Sequence, residues 1–295
     1  MTENIFGEVL TAMVTPFKDN GEVNYKKVRE LADYLLKNGS DGLVVLGTTG
    51  EVPTLNKEEK KNILKEVVAE AGDRGTVIAN TGSYSTADSI EMTVEAEKIG
   101  VDGVMAVVPY YNKPPQNGIY NHFYKIAVST DLPVMIYNVP SRTSRNIEVS
   151  TVEKLANIDN IKAIKEASGD LDQVANLSAQ TDEDLCIYSG DDNLILPILS
   201  VGGHGVVSVA AHLVGSEIKD MINLFKKGEL NKAIDLNKKL LKIFKAMFIT
   251  TNPIPVKEAL NIVGMKVGDP RSPLISLSAE KKNELKDILK NSDII

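Results

Sequence analysis

Short apolar runs alternate with stretches of helical periodicity from the start of the chain to about residue 228. The runs at 8–14, 42–48, 77–81, 103–110, 133–138, 161–167, 186–189 and 205–209 predict eight strands. Several, such as Leu43-Val44-Val45-Leu46 and Val104-Met105-Ala106-Val107-Val108, are continuously apolar instead of alternating, the pattern of parallel strands covered on both faces. Between them, Val28, Leu31, Ala32, Leu35 and Leu36 recur at helical spacing, as do Ile63, Leu64, Val67, Val68 and Ala71. Asn56 with Glu59, and Ser150 with Glu153, have the form of helix N-caps answered by an acidic residue one turn on. Eight strand-helix units fit an open doubly wound sheet or a closed barrel. The open sheet usually places a glycine-rich phosphate loop after its first strand, and Met13-Val14-Thr15-Pro16-Phe17 stands there instead. The pattern therefore predicts an α/β protein, a (β/α)8 TIM barrel with a C-terminal helical extension.

Beyond the eighth unit, residues 230–249 carry a further helical pattern (Ala233, Ile234, Leu240, Leu241, Phe244, Met247), and two more helices are expected after it. The expected division is a barrel over 1–228 and, packed on it, a helical extension over 229–295 that serves packing or oligomer contacts. The 295 residues would allow two domains, but a barrel routinely uses about 250 as one. Basic residues number 33 against 40 acidic, and no Lys/Arg block is long enough to track a phosphate backbone, so nucleic acid is not an expected partner. Cys186 is the only cysteine, which excludes an intrachain disulfide, and its neighbours Leu185 and Ile187 give it the setting of a small buried hydrophobe. Residues 1–8 carry no basic stretch followed by an apolar one, and no run reaches the roughly 18 apolar residues that span a bilayer. A cytoplasmic protein with no membrane partner is expected.

In a barrel the reactive side chains stand at the C-terminal ends of the strands. The polar residues there are Thr48, Thr49 and Gly50 after the second strand, Tyr110 and Tyr111 after the fourth, and Tyr137, Asn138 and Arg142 after the fifth. Lys165 and Glu166 stand at the sixth, and Ser189, Gly190 and Asp191 after the seventh. Lys165 closes the strand Ile161-Lys162-Ala163-Ile164-Lys165. An amine facing an apolar interior is favoured in its uncharged, nucleophilic form, whereas a lysine at a strand end can also reach solvent. Thr48-Thr49-Gly50 offers two hydroxyls and consecutive N–H groups suited to a carboxylate, or is simply a polar turn. Tyr137, on the neighbouring strand, could move protons beside Lys165 or could be packing with a satisfied hydroxyl. Arg142 could grip a carboxylate through two parallel hydrogen bonds or be a surface arginine. His122, His204 and His212 lack metal-ligand spacing, and Asp191-Asp192 fits a cap on the following helix better than a metal site, so no metal is expected. Gly202-Gly203-His204-Gly205 leads into a strand and not a helix, which argues against a nucleotide phosphate loop.

Six motifs run in order through nearly the whole chain: Gly47-Thr48-Thr49-Gly50-Glu51, Pro109-Tyr110-Tyr111-Asn112, Tyr137-Asn138-Val139-Pro140-Ser141-Arg142-Thr143, Ile164-Lys165-Glu166-Ala167, Ser189-Gly190-Asp191-Asp192 and Asn252-Pro253-Ile254-Pro255-Val256-Lys257. Together they resemble the 4-hydroxy-tetrahydrodipicolinate synthase (dihydrodipicolinate synthase) family of class I pyruvate-dependent aldolase-type lyases. The resemblance implies an imine between Lys165 and pyruvate, whose enamine attacks L-aspartate 4-semialdehyde in lysine and diaminopimelate biosynthesis. It further implies that Thr49 and its backbone N–H hold the pyruvate carboxylate, and that Tyr137, Thr48 and Tyr111 form a proton relay, with Tyr111 crossing a subunit interface. Arg142 would bind the carboxylate of the semialdehyde, and the backbone around Gly190 and Val207 would line the pyruvate pocket. No cofactor is implied, and the implied assembly is a homotetramer, a dimer of dimers.

The chain departs from the lysine-inhibited members of that family at their regulatory cleft, where it carries Val52, Pro53, Lys57, Lys60, Tyr84 and Asp88 beside a matching Tyr110. Two extra lysines would repel the ammonium of a lysine effector, so weak or absent feedback inhibition is expected. Two rivals remain. One is a sibling such as N-acetylneuraminate lyase or a 2-keto-3-deoxy sugar-acid aldolase, against which Arg142 and Tyr111 argue. The other is a non-catalytic barrel that binds a keto acid, against which the joint presence of nucleophile, carboxylate nest and proton-transfer groups argues.

Overall fold

The computed structural model describes residues 5–181 and 184–295, so the first four residues of the stretch 1–8 lie outside it. In chain order the elements are β1 (Val9–Ala12), α1 (Tyr25–Lys37), β2 (Gly42–Val45), α2 (Lys57–Ala71), β3 (Thr76–Asn80), α3 (Thr86–Ile99), β4 (Gly103–Val107) and α4 (Gln116–Ala127). There follow β5 (Val134–Asn138), the single turn α5 (Pro140–Thr143), α6 (Val149–Ala156), β6 (Ile161–Glu166), α7 (Leu171–Gln180), β7 (Cys186–Ser189), α8 (Ile195–Ser200) and β8 (Gly205–Ser208). The chain then continues through α9 (Ala211–Lys226), α10 (Leu230–Ala246), α11 (Ile254–Ile262) and α12 (Ala279–Lys290). The eight strands close in sequence order into a parallel barrel, the α/β fold that the alternation predicts.

Six of the eight strands are shorter than the runs that announce them, whereas β3 is shifted by one residue and β7 has the expected bounds. In β2 the ladder stops at Val45 because Leu46 takes a left-handed backbone, φ 61°, and turns the chain out of the sheet. The apolar runs end in the core all the same, since Leu46 and Val108 are buried beyond the last residues of β2 and β4. Asn56 and Glu59 form the reciprocal cap expected at α2. The expected cap at Ser150 is not made. There α6 begins at Val149, and Gln116 from α4 serves its first turn, its amide oxygen accepting the Glu148 N–H at 3.1 Å and the Thr151 hydroxyl at 2.9 Å. A tertiary contact has taken the place of the local one.

Two compact units make up the chain. Among the described residues, one contains 5–8 with 76–181 and 184–207; the other joins residues 9–75 to 208–295. In the first, Tyr137, Lys165 and Tyr188 lie in register across β5, β6 and β7. In the second, α9 packs on α10 and on β1, and α12 packs on both α10 and α11, so the C-terminal helices share a unit with β1 and β2. Ala233, Leu240, Phe244 and Met247 are buried as the periodicity requires, whereas Ile234 is exposed.

Candidate active site

Lys165 is the penultimate residue of β6 and only 7% exposed. Its Nζ lies 4.3 Å above the centroid of the Tyr137 ring on β5. The strand-end lysine is therefore inside, against the face of an aromatic ring whose negative quadrupole favours a cationic nitrogen. Gly190 follows β7 at close range. Its N–H donates to the Glu166 carbonyl at 2.7 Å, and a Cβ there would stand 2.6 Å from Ala167 Cβ and 3.2 Å from Lys165 Cε. Only a residue without a side chain leaves the lysine its present path.

Successive strand residues project to opposite faces, so Glu166 leaves Lys165 for a separate network. Its carboxylate accepts from Asn138 Nδ2 at 3.0 and 3.1 Å, Gln173 Nε2 at 3.0 Å and the Ser168 N–H at 2.7 Å. Burial pushes its pKa up from the usual carboxylate range, and these hydrogen bonds oppose the shift. Asp191 is also raised by burial, opposed by the charge of Lys165. It stands at the N-cap position of the turn Asp192–Leu194 without a capping bond from its side chain, which corrects the expected cap.

The loop after β4 holds Tyr110 half-buried, edge-on to Tyr84 with ring centroids 5.3 Å apart, and burial raises its phenol. Tyr111, next along, has φ 68° and is 89% exposed. Arg142 is exposed on α5, the turn that leaves β5, and Val207 is buried in β8.

Thr48 and Thr49 belong to the other unit, in the turn that leaves β2. That turn is closed by Gly50 N–H to Gly47 O and Glu51 N–H to Thr48 O, both 3.1 Å, and is bounded by left-handed backbone at Leu46 and Glu51. The Thr15 hydroxyl donates to Gly50 O at 2.6 Å. Thr49 is buried, and its hydroxyl oxygen accepts from Asn252 Nδ2 at 2.9 Å.

A model of the Dihydrodipicolinate synthetase family matches residues 5–292. The chain belongs to this family. The 4-hydroxy-tetrahydrodipicolinate synthase of Desulforamulus reducens is 55% identical over 291 residues, 98% of each chain. The dihydrodipicolinate synthase of Bacillus anthracis superposes with a TM-score of 0.95 at 47% identity, covering 97% of this chain and 98% of the other. That of Cyanidioschyzon merolae, solved with lysine bound, superposes with a TM-score of 0.98 at 45% identity, covering 99% of this chain and all of the other. The resemblance drawn from the ordered motifs is thus met along the full length, and the closed eight-stranded barrel is shared with these family structures.

Sequence reasoning singled out Asn252 to Lys257 as a dihydrodipicolinate synthetase-like motif without giving those residues work. In the structure Asn252 meets Thr49, and Lys257 is fully buried with its Nζ 2.8 Å from Glu51 Oε1, 3.1 Å from Thr15 O and 3.0 Å from Asp269 O. Burial pulls the lysine down in spite of Glu51, which pulls it up. Among the described residues no His, Cys, Asp and Glu side chains gather into a metal-binding group, and no helix is long and apolar enough to cross a membrane.

Proposed function

We propose that this chain condenses pyruvate with L-aspartate 4-semialdehyde to 4-hydroxy-tetrahydrodipicolinate, with loss of one water, through an imine on Lys165. The observation that carries this is the buried Lys165 amine above the Tyr137 ring, in a chain whose relatives bearing the synthase name match it end to end. Lys165 Nζ attacks the keto carbon of pyruvate, and the carbinolamine sheds its hydroxyl as water to leave a protonated imine. The imine is an electron sink, so a methyl proton departs and the enamine carbon attacks the aldehyde carbon of the second substrate. The amino group of that substrate then closes on the imine carbon and releases the Lys165 amine. The Tyr137 face stabilises the cationic nitrogen between these steps.

Thr49 and its backbone N–H take the pyruvate carboxylate, and Tyr137, Thr48 and Tyr111 carry the protons. Arg142 takes the carboxylate of the semialdehyde, and Gly190 and Val207 line the pyruvate site. Tyr111 is supplied by a neighbouring subunit of a homotetramer, which accounts for an aromatic ring left almost wholly exposed on one chain. The barrel over 1–228 holds the chemistry, and the extension over 229–295 packs against it. The enzyme works in the cytoplasm, in lysine and diaminopimelate synthesis, and Lys57 and Lys60 weaken feedback by lysine; strong inhibition by low-millimolar L-lysine in a steady-state assay would refute that last point.

The decisive experiment is to incubate the protein with pyruvate and sodium borohydride and map the modified peptide, with Lys165→Ala as control. A single adduct on Lys165, lost in the control, is the expected result. No adduct, or one on Lys162, overturns the assignment. Turnover with aspartate semialdehyde then separates this activity from that of sugar-acid lyases.

A further inference from the structure

We propose that Asn252 is a positioning residue that fixes the Thr49 hydroxyl as a hydrogen-bond donor to the carboxylate of the keto-acid substrate. The inference rests on the role of Thr49 given above and extends it to a residue 203 positions further along the chain. A threonine hydroxyl has one proton and two lone pairs, and left to itself it rotates to suit any partner. Here an amide N–H of Asn252 occupies a lone pair at 2.9 Å, with both residues buried. The hydroxyl proton must then point elsewhere, and an anionic carboxylate, which only accepts, is the partner this orientation suits.

The backbone that carries Thr49 is held just as firmly. Thr15 donates to the carbonyl of Gly50, and the Glu51 carboxylate takes Lys257 Nζ on Oε1 and the Arg271 N–H on Oε2 at 2.8 Å. The turn is therefore anchored immediately after Thr49, while Asn252 fixes the side chain. Apart from Thr15, these anchors come from the Asn252 to Arg271 region, which the imine chemistry leaves unused.

Asn252→Asp tests the polarity directly. A carboxylate at 252 accepts the Thr49 proton and reverses the hydroxyl. Pyruvate would be titrated into wild type and variant with borohydride trapping, at pH 8. At pH 8 the half-saturating pyruvate should rise about tenfold or more in Asn252→Asp, with the maximal adduct yield retained. A second variant, Thr49→Val, guards against misfolding: in that background Asn252→Asp should add no further change. An unaltered half-saturation in Asn252→Asp overturns the proposal, because it means that Thr49 donates to position 252; a further rise in the Thr49→Val background overturns it too, because the loss is then only structural. If the wild type itself traps no pyruvate, the Lys165 mechanism fails separately. Calorimetric titration with pyruvate then decides the Thr49 contact alone, weaker binding in Asn252→Asp supporting it and equal binding refuting it.

Discussion

Two histidines show how a single buried ring ties stability to acidity. His212 Nε2 accepts the Val14 N–H at 3.2 Å and its Nδ1 donates to Val209 O at 2.8 Å, so the ring must be neutral to satisfy both. His122 is held by the Thr86 hydroxyl at 2.9 Å. Burial brings each down to about 4 from an ordinary 6.5. Between those values the unfolded chain binds more protons than the folded one. The stabilisation is therefore complete above about pH 6.5 and is lost as the pH falls toward 4, by about 3 kcal/mol per ring. Thermal melts from pH 7 to 4.5 should show a steeper loss in wild type than in His122→Asn; parallel curves would contradict this. Gly190 makes the second prediction at this scale. An alanine there meets Ala167 and Lys165 Cε, so Gly190→Ala should cost about 1 to 3 kcal/mol through overpacking and slow trapping of pyruvate on Lys165. A variant with unchanged trapping rate would show that the lysine has room to move.

At the scale of elements, patterning foretold the eight strands because each is a short run dominated by apolar residues between helical stretches, and it foretold the α2 cap because both partners lie within one turn. Lys165 and Tyr137 were legible for a related reason: strand order alone makes β5 and β6 neighbours, and their register then pairs the two residues. What could not be read was whatever depends on a distant partner. Gln116 replaces the Ser150 cap, and Asn252, Lys257 and Arg271 reach back more than 200 positions to Thr49 and Glu51, pairings that no local window contains. The Lys257–Glu51 pair is wholly buried, and removing one partner of such a pair leaves an uncompensated charge, worth about 3 to 5 kcal/mol. Lys257→Met should lower the chemical denaturation midpoint accordingly, and Lys257→Met with Glu51→Met should recover part of the loss. Equal loss in single and double variants would mean that the amine matters mainly through its bonds to Thr15 O and Asp269 O.

At the scale of the whole molecule, family membership and the closed barrel followed from the order of motifs and strands, whereas assembly leaves only indirect marks on a single chain. In the proposed tetramer, exposed Tyr111 is such a mark. If a neighbour supplies it, Tyr111→Phe should lower kcat by about a hundredfold or more, as for loss of a general acid-base group. Mixing and reassembling Tyr111→Phe chains with Lys165→Ala chains should then regain activity that neither has alone, because hybrid assemblies contain sites with both groups intact. No regain on mixing would place the tyrosine in its own chain's site.

The Glu51 anchor also sets a timetable for a growing chain on the ribosome. Lys257 is made 206 residues after its partner, which at about 5 to 20 residues per second is roughly 10 to 40 s later. Through that interval the turn carrying Thr49 has neither its amide nor its ammonium, and the acid of Glu51 has no cation from Lys257 to bury with. The turn to which the proposed function gives the substrate carboxylate thus acquires its final anchors only near the end of translation, so a nascent chain released before residue 252 should emerge with Thr49 unfixed.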